Sequence, residues 1–246
     1  MPVDDNGLDI TSGIQNYPDA RFALITPAHQ SPLGVALSLA RRHQILEWAD
    51  RSQAWIIEDD YDSEFRYHGK PLPALKSLDA PQRVIYAGTF SKALFPALRC
   101  AWLVVPVKQI TQFRHQASLA PCAVPVLWQN TLADFLREGH FWRHLKKMRQ
   151  HYAQRRQWIE QALTQQGFQV VPQKGGIQMV IRMIGDDIAH ARKANAAGLA
   201  VQALSDWRIR SSGDGGLLLS FTNIVNEGYY DESVLNRYSR DFVITS

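Results

Sequence analysis

The stretch Tyr86-Ala-Gly-Thr-Phe-Ser-Lys92, followed by Arg99, decides how this chain is read. It continues an apolar run, Arg83-Val-Ile-Tyr86, and ends in a lysine preceded by Gly88, Thr89 and Ser91. Upstream, a second apolar run, Ala54-Trp-Ile-Ile57, leads straight into Glu58-Asp59-Asp60-Tyr61. Phe22-Ala-Leu-Ile25 and Cys100-Ala-Trp-Leu-Val-Val105 are two more runs of the same kind. Short continuous apolar runs separated by helices or long connections predict a parallel sheet covered on both faces. In open sheets of that type, ligands bind outside the carboxyl ends of the strands. Asp59 and Lys92 both follow such runs, so both are expected at one crevice.

Working outward, Pro32 and Gly34 mark a loop. Residues 38–51 have the spacing of an amphipathic helix, with Leu39, Ile45, Leu46 and Trp48 as its buried side. Residues 109–166 are mostly helical in pattern, broken near Pro121, Pro125 and Gly139 and closed by Gly167. Leu145, Met148, Tyr152, Ile159 and Leu163 recur there at helical spacing, which predicts core packing. The last third changes character. Phe168-Gln-Val-Val171 and Ile177-Gln-Met-Val-Ile181 flank Gly175-Gly176 and predict paired strands. Asp186-Asp187 opens a helix running to Gly198, Leu217-Leu-Leu-Ser-Phe221 is a further strand, and residues 231–242 form a final helix. The sequence therefore predicts an α/β unit followed by a smaller α+β unit.

The chain has 246 residues, 46% of them hydrophobic and 20% charged, which is the composition of a globular protein and not of a disordered one. Its net charge of +4 is concentrated in residues 143–156, where helical spacing predicts a solvated face in preference to a nucleic-acid surface. Two cysteines, Cys100 and Cys122, are too few for a disulfide framework and suit a reducing compartment. No run of about 18 apolar residues predicts a membrane span. The N-terminus has no basic-then-apolar signal pattern, so a cytoplasmic protein is expected.

The residues at the strand ends fit one chemistry. A lysine amine can form a Schiff base with an aldehyde, and a carboxylate can hold a proton on a pyridine nitrogen by opposite-charge attraction. Tyr61, two residues beyond Asp59, falls on the same side of an extended strand. Two hydroxyls and a fork-shaped guanidinium can take a phosphate. Together these are the parts of a pyridoxal 5'-phosphate (PLP) site. Taken singly they have plain alternatives: a lysine after a strand is often a surface residue, and Asp-Asp is often a turn or cap.

Glu58-Asp-Asp-Tyr-Asp-Ser-Glu-Phe-Arg-Tyr67, Gly69-Lys-Pro-Leu-Pro-Ala-Leu75 and Tyr86-Ala-Gly-Thr-Phe-Ser-Lys92 resemble the aminotransferase-like domain of MocR-type regulators. That group is a branch of the GntR superfamily built on the type I aminotransferase fold. Thr26-Pro-Ala-His-Gln-Ser-Pro-Leu-Gly34 and Gly139-His-Phe-Trp-Arg-His144 resemble the same branch. The resemblance implies a partial PLP-binding large domain over 1–137, with a mostly parallel sheet, and a small α+β domain over 138–246. It implies Lys92 as the Schiff-base lysine, Asp59 at the pyridine nitrogen and Tyr61 at the ring phenolate oxygen. It places Thr89, Ser91 and Arg99 at the phosphate, and His29 near the ring. Arg210, with Arg208 in reserve, would meet a substrate carboxylate. No metal site is implied.

Two departures stand out. Gln178 occupies a position where the branch usually has histidine. The winged helix-turn-helix that opens family members is not found, which implies an N-terminally shortened effector domain that meets DNA only through a missing segment. The implied function is PLP sensing, with a small amine or amino acid as a further ligand, in a homodimer. A working class I/II aminotransferase, with Lys92 as the proton-transfer base, is the alternative. An inert fragment with exposed sheet edges is the third reading.

Overall fold

The structure, a computed structural model, describes residues 1–119, 124–209 and 215–223. Arg210, Cys122 and the helix expected over 231–242 lie outside the described residues. The chain divides into two compact units: 1–31, 35–64 and 69–145 make the first, and 32–34, 65–68 and 146–246 the second.

The first unit opens with a two-stranded antiparallel ribbon, β1 (Val3–Asp4) and β2 (Gly7–Leu8), then α1 (Ile10–Asn16). The Asp9 side chain caps α1 by accepting from the Ser12 N–H at 3.1 Å. Then come β3 (Phe22–Ile25), α2 (Leu39–Arg51) capped by Ser38, β4 (Trp55–Asp60), β5 (Val84–Thr89) and β6 (Ala101–Val104). Helices α3 (Ile110–Leu119), α4 (Val126–Arg137) and the start of α5 (His140–Gln165) follow. The sheet order is β3-β4-β5-β6; β3, β4 and β5 run parallel and β6 antiparallel, so the sheet is mixed and mostly parallel.

Strand alternation sends Ala23, Ile25, Ile56 and Val84 to one face, where they pack with Ile45 and Leu46 of α2. The opposite face departs from the two-sided cover expected from the apolar runs. Phe22 and Leu24 are 63% and 66% exposed, and Leu103 is also exposed. The physical reason is one-sided layering: α1, α2 and the short turn at Leu75–Leu78 all contribute to the same core. The buried stripe of α2 also differs from the expected one, losing Leu39 and gaining Arg42 and Ala49. Leu39, the first helical residue, stands in solvent, and Arg42, Ile45, Leu46, Trp48 and Ala49 are buried.

The second unit is built on an antiparallel sheet of order β7-β8-β10-β9, from β7 (Gln169–Val170), β8 (Gln178–Met183), β9 (Val201–Ala203) and β10 (Gly215–Ser220). Met179, Ile181, Leu217 and Leu219 share a core with Ile159 and Leu163 of α5 and with Ala191 and Ala194 of α6 (Asp187–Ala196). The helical stripe of α5 is thus core packing. The basic segment on α5 is not wholly solvated, however. Arg156 is buried: its Nε donates to Glu160 at 2.7 Å and its Nη1 to the Gly175 carbonyl at 3.2 Å. Among the described residues, no helix is long and apolar enough to cross a membrane.

Candidate functional site

Strand register fixes which side chains meet at the carboxyl end of the parallel strands. Asp59 lies opposite Ala87 and Asp60 opposite Gly88, so the Glu58-Asp59-Asp60 run ends level with the end of β5. Lys92 follows in a turn closed by the Leu94 N–H donating to the Phe90 carbonyl at 2.8 Å. That turn is anchored from below. Phe90 and Ala93 are buried, Phe90 packs on Trp102 and Phe141, and the Ala93 carbonyl meets His144 Nε2 at 2.8 Å. With those two residues held inside, Lys92 is turned out into solvent. The Thr89 and Ser91 hydroxyls sit 3.1 Å apart, and Thr89 Oγ1 also accepts the Ser91 N–H. Arg99 is exposed and adopts a left-handed backbone (φ 50) two residues before Ala101, the partner of Thr89. The hydroxyls, Lys92 and Arg99 therefore belong to one end of the sheet.

Four acids cluster at the end of β4, and three of them are engaged. Glu58 is buried and accepts from the backbone N–H groups of Leu75 at 2.6 Å and Lys76 at 2.8 Å. Burial pushes its carboxyl above the ordinary range, against the pull of those two donors. Asp60 accepts from the Ser63 N–H and hydroxyl and from the Tyr86 hydroxyl at 2.8 Å. Asp62 is buried against His29, with Oδ2 3.1 Å from Nδ1. Asp59 alone has no hydrogen bond or ion pair within the described residues. Partial burial, then the charges of Asp60 and Asp62, raise its pKa. A carboxylate in that state gains more than an ordinary one from an incoming cation.

His29 and Tyr61 come together from neighbouring strands. The Tyr61 hydroxyl donates to the His29 carbonyl at 3.2 Å and lies 3.2 Å from His29 Nδ1. Burial, and secondarily Asp62, push the Tyr61 phenol well above its usual range, so it stays a neutral donor. His29 is buried, and its Nε2 has no partner among the described residues.

Arg208, the reserve candidate for a substrate carboxylate, is half-buried in the second unit, near enough to Asp187 to lower its pKa. Sequence reasoning gave no role to Asp62 or Arg42. Asp62 sits in the quoted acidic run, and its alternation with Asp60 was the available signal. Arg42 carries no motif: its spacing with Ile45, Leu46 and Ala49 is that of a core residue. Its guanidinium donates to the carbonyls of Leu37 (3.0 Å), Pro73 (2.6 Å) and Pro27 (3.1 Å), which ties down the segment leading to His29. Burial lowers its pKa, partly countered by Glu58.

Comparison with known proteins places this geometry in a family. The family described as "Aminotransferase class I and II" matches residues 4–212. The probable rhizopine catabolism regulatory protein MocR of Rhizobium meliloti is 36% identical over 230 residues, 91% of this chain and 46% of that protein. The HTH-type pyridoxine biosynthesis transcriptional regulator PdxR of Corynebacterium glutamicum is 32% identical over 236 residues, 96% of this chain and 50% of that protein. The chain thus spans about half the length of these relatives. Among solved structures, the Pyrococcus horikoshii kynurenine aminotransferase, in complex with PMP, superposes with a TM-score of 0.86 at 25% identity. The match covers 100% of this chain and 64% of that one. The fold is that of the type I aminotransferases.

Proposed function

The chain belongs to the class I and II aminotransferase family, and from that premise we propose that its first unit binds PLP and serves as the ligand-sensing part of a MocR-type transcription regulator. The observation that carries the reading is the state of Asp59: an acid with no partner among the described residues, its pKa raised, at the same sheet end as an outward lysine. A pyridine nitrogen that carries a proton is the partner such a carboxylate lacks. His29 Nε2, buried near the end of the neighbouring strand, is a second polar atom without a partner among the described residues.

When bound, PLP supplies an aldehyde that condenses with amines and a ring that withdraws electrons. In this reading Lys92 offers the amine, Asp59 keeps the proton on the ring nitrogen, and Tyr61 donates to the ring oxygen. Thr89 and Ser91 offer hydroxyls, and Arg99 a forked cation, to the phosphate. A small amine or amino acid is the second ligand, and Arg210 or Arg208 the residue that receives its carboxylate. The relatives are regulators by their names, which favours sensing over turnover. Any DNA contact would come through a separate helix-turn-helix segment, and the working form would be a cytoplasmic homodimer.

The test is absorbance. PLP added to the protein should give a visible band that borohydride bleaches and that Lys92→Ala lacks. Identical spectra for wild type and Lys92→Ala after PLP incubation would end this reading. Incubation with a panel of amino acids then separates sensor from enzyme: a sensor shifts the band without releasing keto acid, and an aminotransferase releases it.

A further inference from the structure

The group formed by Asp62, His29 and Tyr61 is more specific than a cofactor contact requires. Tyr61 and Asp62 are consecutive residues just past β4, and His29 lies past the end of β3, so neighbouring parallel strands deliver the three to one place. Asp62 is 2% exposed and His29 8%. His29 Nδ1 stands 3.1 Å from Asp62 Oδ2 and 3.2 Å from the Tyr61 hydroxyl, and that hydroxyl also reaches the His29 carbonyl at 3.2 Å.

Elementary chemistry settles which ring nitrogen bears hydrogen. Asp62 Oδ2 makes no hydrogen bond among the described residues, but it lies 3.1 Å from Nδ1, and because a carboxylate only accepts, a bare Nδ1 there would set two lone pairs against each other. Nδ1 therefore carries the hydrogen, and in the neutral ring Nε2 is left as a buried acceptor. An unmet buried polar atom is costly, and a ligand donor at that point would remove the cost. The phenol has no such freedom. Clasped by the His29 ring on one side and its carbonyl on the other, it is held in one rotamer beside Asp59.

We propose that Asp62 is a positioning residue: its charge beside Nδ1 keeps the hydrogen on that nitrogen, His29 then donates to the Tyr61 oxygen, and the single phenol hydrogen is left to pass from the His29 carbonyl to the ligand. This rests on the PLP reading above. Asp62 touches no ligand in this scheme, and its effect passes through the other two side chains, as carboxylates behind histidines do elsewhere.

The experiment is a double-mutant cycle with a spectroscopic control. Nitrogen-15 spectra of the full chain should show His29 protonated at Nδ1. Asp62→Asn, whose amide can donate to the ring, should move that hydrogen to Nε2. PLP affinity, read from the absorbance titration, should fall roughly 5- to 20-fold in Asp62→Asn, the scale of one neutral hydrogen bond or a little more. In a Tyr61→Phe background the same substitution should cost less than about twofold, because the group it acts through is gone. Equal losses in both backgrounds, unchanged affinity, or an unmoved tautomer would overturn the proposal. If Asp62→Asn fails to fold, His29→Gln is taken through the same cycle, with the same supporting and refuting losses. Absence of a Lys92-dependent band in the wild type would overturn the PLP reading and this proposal together. A normal band with additive losses would overturn this proposal alone.

Discussion

Asp59→Asn should push stability and ligand affinity in opposite directions. In the free protein the Asp59 carboxylate is partly buried, lacks a partner among the described residues and is opposed by Asp60 and Asp62. Removing its charge relieves that opposition. The group is partly open to solvent, so the gain is that of a screened pair, about 0.5 kcal/mol. For a chain of this size that is a rise of about 1–2 °C in the melting temperature. With PLP the sign reverses. A charge-assisted hydrogen bond to the ring nitrogen contributes about 1.5–3 kcal/mol, so affinity should fall roughly 10- to 150-fold. The pH dependence follows from the raised pKa. The folded state holds the Asp59 proton more tightly than the unfolded chain, so the wild-type penalty is complete above the raised value. It disappears as pH falls through that value toward the ordinary 3.8. The advantage of Asp59→Asn should be greatest near neutrality and vanish in acid. Thermal melts of free and PLP-loaded protein across pH, with absorbance titrations, measure all of this. A variant that melts lower than wild type in the free state would refute the reasoning, because Asp59 would then be holding the fold.

Arg42→Lys should cost about 2–5 kcal/mol in denaturant unfolding, since one ammonium cannot satisfy three separated buried carbonyls; a loss under about 1 kcal/mol would refute this. Gly88→Ala should destabilise by about 1–3 kcal/mol, because a Cβ there runs into the Trp102 ring, which packs at a tilt with its centroid 4.6 Å from that of Phe90; near-ultraviolet circular dichroism should report the displaced tryptophan, and an unchanged spectrum would count against it. Asp187→Asn should lose about 1 kcal/mol at neutral pH. Burial alone would raise the Asp187 pKa, but the Gly216 and Ser205 N–H donors and the Arg208 charge outweigh it and hold it down. Its stabilisation is therefore present above the ordinary 3.8 and lost as pH falls through the lowered value, and the two unfolding curves should converge in acid.

What the sequence determined by itself was the periodic and the local. β3 is found at the residues the apolar run marked, and α2 begins at the Ser38 cap and ends at Arg51 as its spacing required. The Gly175-Gly176 signal does separate two antiparallel strands. The strand-end position of Asp59 and the turn position of Lys92 were equally legible, because they depend on where runs stop. What needed the tertiary structure was the sorting of like residues. Glu58, Asp59, Asp60 and Asp62 are four carboxylates within five positions, and nothing local tells them apart. Only the fold gives Glu58 two backbone donors, Asp60 a serine and a tyrosine, and Asp62 a histidine from beyond another strand, leaving Asp59 without a partner among the described residues. Arg42 is buried on α2 and Leu39, expected there, is not, for the same reason. A side chain's burial depends on which distant carbonyls and apolar faces reach it, and a helical period carries no record of those partners.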